Sequence, residues 1–293
     1  MNNFKNFVII VLSLIILVQA AFLIGLLSRR QALRPKEVIR KAAPVVSLKE
    51  IKPPREARVQ EKEIPTVRPK EKLGKIALVI DDWGYNLKNR NFITDNDFHV
   101  TISILPFKPF STQIAQLAFH KQKDIIIHMP MEPQNKENYG LEENTLLTSM
   151  DKKTIIRLMD EAFDCVPYAK GMSNHMGSKA TQDLKLMRIV MEYLKKKNLF
   201  FLDSCVTPHS VCKNLAKKFR VGFAGRDVFI DNDSDSSSIK EQLFKLAQIA
   251  KRRGVAIGIG HDRPNTIAVL REMIPRLEEE GYQFVNLSEI VEE

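Results

Sequence analysis

Five apolar runs in this 293-residue chain close on groups that carry chemistry. They are Asp81-Asp82 after Ile76–Ile80, His128 after Ile125–Ile127, Asn174-His175, Asp203-Ser204 after Phe200–Leu202, and His261 after Ile257–Gly260. A parallel β/α fold places its ligand site at the carboxyl ends of its strands, so these are the positions where carboxylates and imidazoles would gather. Adjacent aspartates on an extended chain emerge on opposite sides, and one can hold a metal while its neighbour acts as a base. A turn or helix-cap pair before Trp83-Gly84 is the structural alternative. An imidazole such as His128 among isoleucines is a costly core choice without a partner, with a hydrogen-bonded structural histidine as the alternative, and His175 has a core histidine or a turn residue as its alternatives. His261 precedes Asp262-Arg263-Pro264 and is placed to give a proton to a leaving group. The spacing predicts that Asp81, Asp82, His128, His175 and His261 meet around a divalent metal ion.

Other residues flank this set. Glu132 stands four positions after His128, but Pro130 and Pro133 argue against a helix joining them. Its readings as an orienting group or a solvated loop acid rank ahead of a fourth ligand. Asn174 lies in the glycine-bounded Gly171–Ser178 stretch, where backbone can approach a ligand. Asp203, with Ser204, either orients a metal-binding histidine by a carboxylate hydrogen bond or caps the next helix. Trp83, the single tryptophan, either stacks on a sugar face or packs in the core. His99, His120 and His209 close no apolar strand and read as surface or structural residues. Ser178 and Ser204 are not in a G-x-S-x-G elbow, and no Walker or dinucleotide glycine pattern exists.

Strand-length apolar runs at 75–82, 99–106, 124–130, 169–177, 199–205, 221–230, 254–261 and 282–290 must position these groups. Helix-like segments such as 151–166, 182–197, 238–252 and 265–280 lie between them. This alternation predicts a parallel sheet with right-handed crossovers, an irregular seven- or eight-stranded (β/α) barrel. Ser149 is the expected cap of the helix at 151–154, and Gly254 and Gly281 the expected helix stops.

Residues 7–27 run 21 positions without a charge, long enough to cross a bilayer as a helix. A membrane anchor over 1–28 is therefore expected, with a cleavable signal ending near Val18-Gln19-Ala20 as the competing reading. Residues 29–73 hold six of the 14 prolines and no glycine, and are expected to be a disordered basic tether spanning up to about 140 Å. The formal charge of +10 is concentrated there: residues 76–293 carry 29 of the 45 basic and 29 of the 35 acidic residues. The domain at 74–293, which adds only Lys75 to that balanced count, has no footprint for nucleic acid. Cys165, Cys205 and Cys212 form no C-x-x-C and read as buried or spare thiols.

Taken in order, VIDDWG, HMPMEP, GMSNHMGS, FLDS and GIGH resemble the divergent polysaccharide deacetylase family across essentially all of 74–293. What the resemblance implies is an irregular β/α barrel related to metal-dependent carbohydrate deacetylases of the bacterial envelope. Ordinary relatives pair the second aspartate of an Asp-Asp motif with two histidines in His-x-x-x-His, whereas this chain has His128-x-x-x-Glu132. His175 is the expected replacement, which gives Asp82, His128 and His175 as ligands of a divalent metal, zinc before others. By the same resemblance Asp81 is the base and His261 the acid in N- or O-deacetylation of a polysaccharide or peptidoglycan-type glycan. The altered motif leaves a catalytically silent glycan-binding barrel, or a different metal-dependent amidase of the envelope, as alternatives. The resemblance also implies an inner-membrane protein with its domain in the periplasm or outside. Arg29, Arg30, Arg34 and Lys36 outweigh Lys5, and the positive-inside rule gives the opposite, cytoplasm-facing orientation.

Overall fold

The β-branched and leucine-rich runs become strands, all paired in parallel. They are β1 (Gly74–Trp83), β2 (Thr101–Ile104), β3 (Asp124–Met131), β4 (Gly171–Met176), β5 (Phe200–Asp203), β6 (Phe223–Gly225), β7 (Val228–Phe229), β8 (Val255–His261) and β9 (Tyr282–Val285). The computed structural model describes residues 72–138 and 140–291, so the apolar segment 7–27 and almost all of the expected tether lie outside the described residues. Among the described residues, no helix is long and apolar enough to cross a membrane. The sheet order is β6-β5-β4-β3-β2-β1-β8-β7, with β9 beside β1.

The two-residue period of each strand sorts side chains onto two faces. Ile76, Leu78 and Ile80 pack beneath the helices, whereas Ala77 and Val79 join Ile126, Leu202, Ile257 and Ile259 in a smaller core inside the curled sheet. Burial on both faces is why these strands read as continuous apolar runs. The expected barrel is realised as a curled parallel sheet without pairing between β6 and β7. The expected single strand at 221–230 divides there for a definite reason. The Arg226 amide donates to Asp203 O at 3.1 Å, while the Asp227 amide donates to Ile257 O at 2.9 Å. Consecutive residues thus serve strands on either side of the seam.

The helices are α1 (Asn91–Thr94), α2 (Ser111–His120), α3 (Lys152–Cys165), α4 (Leu184–Lys197), α5 (Cys212–Phe219), α6 (Ser236–Arg253) and α7 (Pro264–Glu280). Asp151, not Ser149, caps α3, because its carboxylate accepts the Thr154 amide at 2.7 Å. An acidic cap of this kind satisfies an otherwise unpaired first-turn amide and complements the helix dipole. Gly254 and Gly281 end α6 and α7 as expected, at φ of 84° and 111°.

Candidate metal centre

Each strand that enters the site carries its inner-face alternation one step further. Ala77 and Val79 lead to Asp81, Ile126 leads to His128, and Ile257 and Ile259 lead to His261. The register then sets Asp81 beside His261 and His128 beside Ser173. On β8 the intervening glycines let neighbours approach the outer face: a Cβ on Gly258 would lie 2.5 Å from Leu246 Cδ2, and one on Gly260 would lie 2.8 Å from Ile230 Cδ1. Side chains there would force Leu246 and Ile230 to repack against β8.

On a strictly extended chain Asp82 would emerge on the side opposite Asp81, although the sequence reading places both carboxylates at the metal. The backbone departs from strict extension. Asp82 has φ of +67°, and the β1–β2 pairing slips between Ile80 and Trp83. Asp tolerates this left-handed conformation better than most residues. The irregularity turns the second carboxylate toward the same histidines as the first: Asp81 Oδ1 is 3.5 Å from His128 Nδ1, and Asp82 Oδ1 is 3.5 Å from His128 Nε2.

His175 completes the cluster. Its Nδ1 lies 3.3 Å from Asp82 Oδ1 and 3.1 Å from His128 Nε2. These three atoms fit a cation for three reasons. Mutual separations of 3.1–3.5 Å bracket the edge of about 3.3 to 3.4 Å that a tetrahedron with zinc-type bonds requires. Asp82 Oδ1 is buried without a hydrogen-bond partner. Burial, together with the nearby His175, holds the His128 imidazole well below its ordinary value, so it is neutral near pH 7 and offers a lone pair. Burial opposes charge on Asp82, but the adjacent His175 and His128 outweigh it and hold the carboxyl below its usual range. The other nitrogen of His128 meets Ser173 Oγ at 2.8 Å, and Ser173 Oγ lies 3.2 Å from Ser103 Oγ. This is the kind of support that fixes the tautomer and orientation of a ligating histidine. Ser173 could have been found in the sequence, since it stands two residues before His175 on the same face of β4.

Asp81 is 1% exposed, and its Oδ1 is also without a partner. Burial pushes its carboxyl up to about 7, against the lowering influence of His261 and Ser103. His261 is held by a residue the sequence reading missed. Fully buried Asp231 receives the His261 ring Nδ1 at 2.8 Å, the His261 amide at 2.8 Å and the Thr266 hydroxyl at 2.7 Å. Burial disfavours the His261 cation, but the Asp231 hydrogen bond and charge outweigh this and raise the pKa. The signal for Asp231 was present: it follows the apolar Val228–Ile230 as the other site residues follow their runs. The Phe229 ring lies nearly parallel to the His261 ring, with centroids 6.0 Å apart.

Other expected participants lie elsewhere. Glu132 is buried but turned into its own loop, where it accepts from Thr148 N, Thr148 Oγ1 and Lys179 Nζ and pairs with Lys136. Burial opposes its charge, yet these donors hold its pKa down to about 2. It is neither in the ligand cluster nor solvated. Asp203 touches neither ligand histidine and caps no helix: it accepts the Cys205 amide at 2.8 Å and the Ser210 hydroxyl at 2.6 Å. Asn174 and Ser204 join β4 to β5, with the Ser204 amide on Asn174 Oδ1 and the Ser204 hydroxyl on Asn174 O. Trp83 is fully buried and cannot stack on a sugar. His99, His120 and His209 are exposed surface residues, as expected.

Residues 78–291 match the sequence profile of the divergent polysaccharide deacetylases. An uncharacterized protein of Escherichia coli K12, YibQ, is 37% identical over 204 residues, which make up 70% of this chain and 63% of YibQ. This chain thus spans somewhat less than two thirds of that relative. An uncharacterized protein of Haemophilus influenzae is 37% identical over 206 residues, 70% of this chain and 73% of that protein. Among solved structures, an uncharacterized protein of Agrobacterium tumefaciens C58 shares the fold, with a TM-score of 0.72 and 23% identity over 75% of this chain and 90% of that one.

Proposed function

Because the chain belongs to the divergent polysaccharide deacetylase family, we propose that it is a metal-dependent hydrolase that removes acetyl groups from an envelope glycan. The observation that carries this reading is the convergence of Asp82 Oδ1, His128 Nε2 and His175 Nδ1 beside Asp81 and His261. Asp82, His128 and His175 would hold a divalent metal, zinc before others. When bound, that ion supplies a Lewis acid that polarises an acetyl carbonyl and acidifies water. Asp81, a buried carboxyl with a free oxygen, takes the proton of the attacking water. His261, kept protonated and oriented by Asp231, donates a proton to the departing amine or alkoxide. Asp82, His175 and His261 are partly exposed, which leaves the cluster open to a polymer from one side.

The test is acetate release from N-acetylated and O-acetylated envelope glycans. The expected result is release that stops with EDTA and returns with added zinc. Glycan binding that survives EDTA without acetate release would replace this reading with the silent binding barrel, and cleavage without acetate would replace it with an amidase. We further propose that the apolar segment 7–27 anchors the protein in the inner membrane with its domain outside the cytoplasm, a reading supported by that segment's length and by the family resemblance. A reporter fused to the C-terminus that is active only in the cytoplasm contradicts that placement.

A further inference from the structure

A well-formed cavity lies apart from the metal centre. A cleft of about 680 Å³ follows the seam at which β6 and β7 fail to pair. That volume is in the range of small-molecule sites. Val206, Phe223, Val255, Ile257 and Ile290 give it an apolar wall. Ile257 belongs to the inner core of the curled sheet, so the open seam exposes part of that core's edge.

The polar groups around this wall are mostly occupied. Ser210 Oγ donates to Asp203 and accepts the Cys212 amide, and Thr207 Oγ1 accepts from Gln182 and the His209 amide. Asp227 takes Arg253 at 2.6 Å and the Ile257 amide at 2.9 Å. Few partners remain for a string of sugar hydroxyls. The cations are less fully engaged. Lys213 makes no ion pair among the described residues. Arg226 donates to Ser204 O and Cys205 O and lies 3.7 Å over the Phe229 ring, without a carboxylate contact. An apolar wall that few hydroxyls can satisfy, rimmed by cations whose nearby carboxylates are already bonded, complements a ligand with a hydrocarbon chain and an acidic head.

We infer that this seam cleft binds an anionic amphiphile, its alkyl chain along Phe223, Val255 and Ile257 and its phosphate or carboxylate head at Lys213 and Arg226. The site is separate from the metal centre and does not depend on the proposed reaction. Cys205 lines the cleft and is exposed, whereas Cys212 is buried and Cys165 partly so, which makes Cys205 a local reporter. The experiment follows N-ethylmaleimide alkylation of Cys205 by peptide mass mapping, on the full-length chain in phosphatidylcholine nanodiscs. Octyl phosphate, octanol and inorganic phosphate are the three probes. Octyl phosphate at ten times its Kd is expected to slow alkylation about tenfold, while octanol and inorganic phosphate leave it unchanged. Lys213→Glu and Val206→Trp, which alter the rim and fill the cleft, are expected to remove the protection with metal content intact. The inference is overturned by absence of protection, by equal protection from octanol or from inorganic phosphate alone, or by protection that persists in both variants.

Discussion

Strands β1 and β5 carry the same local signal, an apolar run closing on an aspartate, and the two aspartates have opposite fates. At β5, Asp203 is satisfied by the turn it begins, through the Cys205 amide and the Ser210 hydroxyl. At β1, Asp81 and Asp82 each leave a buried oxygen without a partner, and both face His128. A carboxylate whose own loop saturates it is structural. One that is desolvated, unsaturated and aimed at imidazoles retains its capacity for a cation or a proton. Backbone geometry makes the difference: the left-handed Asp82 turns a second carboxylate into the site, whereas nothing at β5 redirects Asp203.

The contrast is sharpened most by removing a ligand. Asp82→Ala and His128→Ala are each expected to lose bound metal and about 10³-fold or more in kcat/KM for acetate release, read by elemental analysis and an acetate assay. Asp81→Asn comes next: metal is retained while kcat falls about 10²- to 10⁴-fold, the range of a lost general base. A variant at Asp81 that loses metal would make it a ligand instead. Asp231→Asn has a smaller effect, visible in the pH profile. His261 is active when protonated and its pKa is raised chiefly by Asp231, so activity falls as pH rises through that value. Without the Asp231 charge this alkaline limb moves to lower pH by about one unit. The acid limb, set by Asp81, stays in place. Asp203→Ala is expected to have the smallest functional effect, with metal and kcat/KM retained and stability reduced by about 1–3 kcal/mol in urea unfolding. If Asp203→Ala loses metal, the distinction between the two strand ends fails.

Much of this contrast was legible in the sequence, and the parts that were not have physical causes. Continuous apolar runs reveal strands covered on both faces, so β1, β3 and β8 and the groups at their ends could be read directly. The helices α2 and α5 went unread because neither Phe110 nor Val211 provides a side-chain cap, which leaves no start signal. The run 221–230 looked continuous because the switch at Arg226-Asp227 is made by backbone amides, which have no sequence signature. The same division hid Asp231, which lies two residues beyond the end of the short β7 rather than after one long strand. Asp203 and Trp83 were ambiguous because the sequence shows that a polar or aromatic group ends a strand, but not whether neighbouring loops will satisfy or cover it. His175 was inferred from the missing second histidine after His128, and the geometry brings it, rather than Glu132, against Asp82 and His128.

The central claim is that Asp82, His128 and His175 together hold a metal ion. Its most direct test is elemental analysis of the full-length chain loaded with zinc and dialysed, compared with Asp82→Ala, His128→Ala, His175→Ala and Asp203→Ala prepared identically. The account predicts stoichiometric zinc in the parent and in Asp203→Ala, and loss from the other three variants. Zinc content unchanged in both Asp82→Ala and His128→Ala would contradict it.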